Sequence, residues 1–318
     1  MSFTEKYYGN RMASRKQKTK DIATFIAIRL FVFSVTLLPY RYRVPVAGYL
    51  VSRLFSPMAG FPKRIRENLG LVFPNMPKDE VEELVKSVPE NAGRTIIEIF
   101  SGKKFSNRFN GTELQGEGAK ELERAHIEAR PVILVTGHFG NYDAPRAALL
   151  AKGYDIGALY REMNNSLFNK FYVSAISKVG TPIFPRNRKG LTGFVRHLRD
   201  GGMVGILIDQ YYHDGAHLQF FGHNAPTALS AAELAIKYNA LVVPIYGIRQ
   251  KNGLDFKIVC ESSIPHSSPE EMTQSLNDSL ERMVRQHIDQ WFWIHKRWKP
   301  ERNTEEKSNL QYVHKSKQ

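Results

Sequence analysis

Only one cysteine, Cys260, occurs in 318 residues, which excludes an intramolecular disulfide and any cysteine-built zinc site. Within the apolar run Phe256 to Cys260 it reads as a small buried hydrophobe, compatible with a reducing compartment. No H-E-x-x-H arrangement is present. Of ten histidines, His213, His217 and His223 lie close together, but in a loop with Asp214, Gly215 and Gly222, so neither a metal nor a cofactor is expected. No RNP-like aromatic motif or recognition-helix pattern occurs, and only net charge favours a nucleic-acid partner, so none is expected. Internal repeats and low-complexity stretches are also missing. So is a long uninterrupted apolar run: the stretch from Ile22 to Leu38 is seventeen residues and contains Arg29. That length is at the short edge for a spanning helix, and a central arginine is costly there. No small-residue cleavage site precedes Pro39-Tyr-Arg, which argues against a signal peptide.

Positive charge is abundant. Lys and Arg number 45 against 31 Asp and Glu, a formal charge of +14, which suits anionic partners such as an acidic membrane surface or a phosphorylated substrate. Lys6, Arg11, Arg15, Lys16, Lys18 and Lys20 precede the Ile22–Leu38 run. Two membrane readings stay open. In one, a helix spans with its basic tail in the cytoplasm; in the other, an interfacial or tilted helix lets Arg29 snorkel toward phosphates. The expected organisation is a basic N-terminus with a membrane-associated helix over 1–40, an α/β domain over 41–300 and a polar tail over 301–318.

Within that domain, helices are expected at Val44–Met58, Lys78–Val88 and Glu90–Phe100, then a charged surface connection over 102–118 and a helix over Gly118–Arg130. Strand-like runs then appear at Pro131–Val135, Ile156–Tyr160, Thr181–Phe184, Met203–Ile208, Leu241–Ile248 and Phe256–Cys260. Helical patterns at Ala144–Lys152, Ser166–Val179, Lys189–Arg199, Ala228–Tyr238 and Pro269–Gln290 fall between and after them. Such alternation predicts an α/β fold with a mostly parallel or mixed sheet flanked by helices.

Four strand ends in succession carry polar or ionic groups, and in open α/β sheets those ends converge on one crevice. After the first strand comes Thr136-Gly-His-Phe-Gly-Asn-Tyr-Asp143, an H-x4-D pair. His138 can take a proton from a hydroxyl near neutral pH, and Asp143 can hold the ring in the right tautomer or cap the following helix. Asn141 can donate or accept a hydrogen bond. Arg161, in Tyr160-Arg-Glu-Met, can clamp a phosphate or an oxyanion. Arg186, Arg188 and Lys189 form a candidate anion cradle at a helix start. In Gly205-Ile-Leu-Ile-Asp-Gln210, Asp209 and Gln210 can position an acceptor or order the loop. Tyr211, Tyr212, Phe220 and Phe221 can line an acyl groove or belong to the core.

Taken together, these residues resemble the bacterial lipid A biosynthesis acyltransferases, the lauroyl/myristoyl family within the wider glycerolipid acyltransferase group. The likeness runs through Glu67-Asn-Leu-Gly-Leu-Val-Phe-Pro74, Gly137-His-Phe-Gly-Asn-Tyr-Asp143, Tyr160-Arg161 and Gly205-Ile-Leu-Ile-Asp-Gln210. It continues through Phe220-Phe-Gly222, Ala240-Leu-Val-Val-Pro244 and Trp293-Ile-His-Lys-Arg-Trp-Lys299. The resemblance implies a transferase on the cytoplasmic face of the inner membrane. It would move a fatty acyl group from acyl carrier protein, with coenzyme A open as an alternative thioester donor, to a hydroxyl of a lipid A precursor. By position, His138 would be the general base, with Asp143, where many members have Glu, as its orienting acid. Arg161 would meet phosphate or thioester, and Arg186, Asp209, Gln210 and Asn141 would bind substrate. Two other readings stay open: an acyltransferase for another glycerolipid, aminolipid or glycolipid, and a noncatalytic anionic-lipid-binding protein.

Overall fold

A computed structural model describes residues 3–299, with side chains from residue 17 onward. The expected polar tail over 301–318, and the side chains of Lys6, Arg11, Arg15 and Lys16, lie outside the described residues. In chain order the helices before the sheet are α1 (Phe3–Thr36), α2 (Tyr40–Leu50), α3 (Ser56–Met58), α4 (Phe61–Val72), α5 (Lys78–Phe100) and α6 (Lys103–Ser106). A π-helical turn, Val51–Phe55, links α2 to α3 and interrupts the single helix expected there. Conversely, the two helices expected on either side of Pro89 are one. Val88 and Pro89 are buried within α5, and packing of that face outweighs the hydrogen bond that proline removes. Ser52 donates to the Lys86 carbonyl (2.7 Å) beside the interruption. At Gly93 a Cβ would lie 2.7 Å from that of Val51, so the close approach of this turn to α5 requires glycine.

The connection over 102–118 is not wholly a surface segment. Phe105 and Phe109 are buried in the core, four residues apart, with their rings in contact with each other and with Phe256. The charged residues around them hide this anchor from a composition-based reading.

The rest of the chain runs β1 (Leu114–Gln115), α7 (Gly118–Ile127), β2 (Val132–Thr136), α8 (Ala144–Ala151), β3 (Ile156–Tyr160), α9 (Ser166–Val179) and β4 (Ile183–Pro185). Then follow α10 (Arg188–Arg199), β5 (Met203–Leu207), the hairpin β6 (Ala216–Phe220) and β7 (His223–Thr227), and α11 (Ser230–Tyr238). The described chain closes with β8 (Leu241–Arg249), β9 (Phe256–Cys260) and α12 (Pro269–Gln286). Seven strands form one sheet in the order β1-β9-β8-β2-β5-β3-β4, in which only the β8–β9 pairing is antiparallel. The sheet is therefore mostly parallel and mixed, as expected.

β2 is buried at all five positions, because both faces of a central parallel strand are covered. Val132 and Leu134 meet the core shared with α7 and α8, while Ile133 and Val135 meet α10, α11 and α12. Right-handed crossovers explain this division. The chain passes from β2 to β3 to β4 in one direction along the sheet, placing α8 and α9 on one face. It returns from β4 to β5 to β8, placing α10 and α11 on the other. α1 and α2 pack through Val32, Val35, Val44 and Ala47 against Ile97 of α5 and Phe171 of α9, on the α8–α9 side.

No helix among the described residues is long and apolar enough to cross a membrane. Ile22, Ile26, Leu30, Phe33 and Leu37 are nonetheless all exposed along one stripe of α1 and its end.

Candidate active site

β2 and β5 pair in parallel with Thr136 opposite Leu207. Two residues beyond those ends stand His138 and Asp209, so strand register alone sets them side by side. His138 Nδ1 and Asp209 Oδ1 are 2.8 Å apart, and the His138 backbone N–H donates to Asp209 Oδ2 at 2.7 Å. The Trp291 indole N–H donates to the same Oδ2 at 3.0 Å. Asp209 is fully buried. Burial alone would raise its carboxyl, but the charge and hydrogen bonds of His138, with help from His295, hold it below the usual carboxylate range. An anionic Asp209 accepting at Nδ1 fixes the tautomer with a proton on that nitrogen and leaves Nε2 free.

The carboxylate on His138 is thus Asp209, which corrects the expectation for Asp143. Asp143 accepts two hydrogen bonds from Arg146, from Nε at 2.6 Å and Nη2 at 2.9 Å, and its side chain makes no cap bond. Arg146 continues to the carbonyls of Ile176 in α9 and of Gly180 just beyond its end. Three residues apart on the first turn of α8, the two charges meet each other before either reaches the histidine.

Asn141 is also buried and structural rather than facing a substrate. Its Nδ2 donates to Glu98 Oε2 at 2.8 Å, and its Oδ1 accepts from the Asp143 N–H at 2.9 Å. Glu98 in turn accepts from Arg249 Nη1 at 2.6 Å and Nη2 at 2.8 Å. The Gly140 carbonyl accepts from Asn91 (3.0 Å) and Thr95 (2.9 Å), while its N–H donates to the Gln290 carbonyl at 2.9 Å. Gly140 has φ +53°, and a Cβ there would lie 1.9 Å from the Gly247 carbonyl oxygen, so no other residue fits. Phe292 N–H donates to the His138 carbonyl at 3.0 Å and closes the loop.

Around the imidazole stand Tyr142 (5.2 Å between ring centroids), Phe292 (6.3 Å) and His295 (4.5 Å). His138 opens onto a cavity of ≈ 110 Å³ whose wall includes Val88, Ala92, Ile96, Tyr142, Trp291 and Phe292. His295 Nε2 is enclosed and has no hydrogen-bond partner among the described residues, and burial, then the neighbouring His138 and Arg297, push its pKa down to about 3. Trp291 carries no expectation from sequence, and His295 enters only as part of the Trp293–Lys299 run, with no role of its own. The available signal was the crowding of all three tryptophans, Trp291, Trp293 and Trp298, into eight residues.

Arg161 and Arg186 follow β3 and β4 directly, Gln210 stands three residues beyond β5, and all three are exposed along the same edge of the sheet as His138. Arg186 lies over the Tyr212 ring at 5.8 Å. Phe220 and Phe221 are core residues packed on Trp291, Trp293 and Trp298, not groove lining. His213, His217 and His223 bond separately, to Tyr211, Asn224 and the Leu71 carbonyl. His138, Asp209 and His295 offer three ligand atoms within 4.8 Å of one another. Because three N–H groups already occupy both Asp209 oxygens, the cluster is a hydrogen-bonded group rather than a prepared cation cage.

An imidazole bonded to a buried carboxylate, at the open end of a parallel sheet beside an apolar cavity, is an α/β arrangement that can move a proton to and from a bound group. The sequence profile of the bacterial lipid A biosynthesis acyltransferases matches residues 12–300, and the chain belongs to that family. It is similar to a lipid A biosynthesis lauroyltransferase of Escherichia coli, 24% identical over 274 residues (83% of this chain, 88% of that protein). A lipid A biosynthesis palmitoleoyltransferase of the same species is 23% identical over 271 residues (82% and 86%). A lipid A biosynthesis acyltransferase of Haemophilus influenzae is 21% identical over 267 residues (83% and 84%).

Proposed function

We propose that this protein transfers a fatty acyl group from an acyl carrier protein thioester to a hydroxyl of a lipid A precursor, with His138 as general base oriented by Asp209. The His138–Asp209 pair carries this reading. His138 Nε2 takes the proton of the acceptor hydroxyl as its oxygen attacks the thioester carbonyl. The C–O bond forms and the oxyanion is met by Arg161 or by backbone N–H groups. Collapse breaks the C–S bond, and His138 returns its proton to the departing thiolate. No metal or covalent enzyme intermediate is needed. General-base action of this kind is worth ~10²–10⁴-fold in rate. The apolar cavity beside His138 suits the first methylenes of an acyl chain, and Arg161 and Arg186 suit anionic groups of the acceptor.

The exposed apolar stripe of α1, bordered by Arg29, supports an interfacial seat on the cytoplasmic face of the inner membrane, with the helix lying in the headgroup layer. The test is incubation of the purified protein with defined acyl carrier thioesters and a lipid A precursor, read by mass spectrometry. Wild type is expected to add one acyl chain, and a folded His138→Ala variant none. A folded, fully active variant would remove His138 from the reaction. Transfer to a glycerolipid but not to the precursor would replace the acceptor.

A further inference from the structure

A second cavity, larger than the one beside His138, lies on the face of the sheet covered by α10 and α11. It is a groove of ≈ 520 Å³ between α10 and α11. α10 contributes Arg188, Leu191, Thr192, Val195, Arg196 and Arg199, spaced i, i+3, i+4, i+7, i+8 and i+11, a single stripe of the helix. Its other side buries Gly190, Phe194 and Leu198 in the core. From α11 come Leu234, Lys237 and Tyr238. Arginine and lysine are the only formally charged residues lining the groove, over an apolar floor in which Leu191 is 41% exposed. Among the described residues the carboxylate that Arg199 meets is its exposed neighbour Asp200. Arg188, Arg196 and Lys237 have no carboxylate partner among the described residues.

Helix electrostatics accounts for part of this arrangement only. Cations near the carboxyl end, as at Arg196 and Arg199, are favourable. Arg188 and Lys189 stand in the first turn, where the dipole opposes them; that turn holds no acidic residue, and the nearby Glu162 carboxylate accepts from the N-cap Asn187 side chain (3.1 Å) and pairs with neither cation among the described residues. Such charge placement is unfavourable within the molecule and becomes favourable when an anionic partner covers it.

We infer that this groove docks an acidic, helical carrier protein bearing the acyl thioester, an inference that rests on the carrier-borne donor proposed above. A bilayer is flat, and the apolar stripe suited to one lies on α1, which packs on the α8–α9 side of the sheet. A concave channel with an apolar floor and cationic flanks instead matches an amphipathic acidic helix. From Arg188 to Arg199 it runs about 16 Å at 1.5 Å per residue, three turns of a partner helix. Its Arg188 end lies at the carboxyl edge of the sheet, the edge that carries His138, so a carrier seated there points one end toward the catalytic crevice.

The test compares wild type with Arg196→Glu/Lys237→Glu on two donors of equal chain length: a carrier-borne thioester and its N-acetylcysteamine analogue. Charge reversal is expected to lower kcat/KM at least tenfold with the carrier, through KM, while the small donor, the circular dichroism spectrum and anionic-vesicle binding stay unchanged. Unchanged kinetics with the carrier, an equal loss on both donors, or lost vesicle binding with carrier KM retained each overturn the groove assignment. A wild-type enzyme that shows no preference for the carrier donor overturns the donor reading itself, a result visible before any variant is made.

Discussion

Two carboxylates compete for the role beside His138, one five residues away and one 71, and geometry separates them. Asp209→Asn keeps the volume but loses the charge that fixes the tautomer, and kcat/KM is expected to fall ~10²–10⁴-fold. Asp143→Asn instead weakens a buried pair with Arg146, so its main effect belongs in stability, on the order of 3–5 kcal/mol for a broken buried pair. Paired kinetics and thermal melts of the two variants check this, and equal catalytic loss with equal melting points would contradict it. His295 provides a pH signature at the same scale. Its pKa is near 3 in the folded state against 6.5 unfolded, so the unfolded chain binds more protons between those values. Stability therefore falls as pH drops through that window, with a slope of up to about 1.4 kcal/mol per pH unit for one proton. His287, also lowered by burial, contributes in the same direction. His295→Phe is expected to flatten the dependence of melting temperature on pH between 6.5 and about 4, and an unchanged slope would place its origin elsewhere.

At the scale of elements, the His138 loop is held from behind by α5 and β8 rather than by its own helix. Glu98 of α5 joins Asn141 of the loop to Arg249 of β8, and all three are buried. Glu98→Gln leaves Arg249 as a buried cation without its counter-charge, and a loss on the order of 3–5 kcal/mol is expected from denaturant unfolding. An unchanged unfolding midpoint would show that the network adds nothing. This network also marks where the chain was legible before folding. The apolar runs of β2, β3, β5, β8 and β9 are legible from their alternation with helical patterns, and the crowding of polar groups at their ends is legible from the sequence that follows each. Pairing of those groups is not, because His138 and Asp209 meet only when β2 and β5 become neighbours in register. A local H-x4-D spacing therefore pointed to the wrong carboxylate, while Ile206-Leu-Ile-Asp209 held the right one with no local sign of its partner. Phe105 and Phe109, expected in a surface connection, and Phe220 and Phe221, open between groove and core, have a related explanation: aromatic residues set among charges and glycines reach the core through contacts remote in sequence.

The whole molecule divides its surface chemistry between two faces. On one, α1 and α2 present Ile26, Leu30, Phe33, Leu37 and Tyr49 to solvent, with Arg29 at the border, three residues from Ile26 and four from Phe33. On the other, α10 and α11 present cations around a groove. An exposed apolar stripe of that extent is unfavourable in water, at roughly 25 cal/mol per Å² of apolar area, unless an interface covers it. Full burial of one such side chain is worth about 1.5–3 kcal/mol, more than tenfold in affinity. Phe33→Ser/Leu37→Ser is therefore expected to weaken binding to vesicles of phosphatidylglycerol and phosphatidylethanolamine at least tenfold, in a sedimentation assay, while the fold persists because neither side chain is buried. Lys18, Lys20 and Arg29 lie along the same helix, so wild-type binding should also weaken as salt rises and the Debye length shortens from about 10 Å at 0.1 M to about 3 Å at 1 M. The two dependences are separable: the double serine substitution lowers the apolar part and leaves the salt slope, whereas Lys18→Glu/Lys20→Glu flattens the slope and leaves the apolar part. Vesicle binding indifferent to both pairs would mean that α1 is not the surface the protein turns toward lipid.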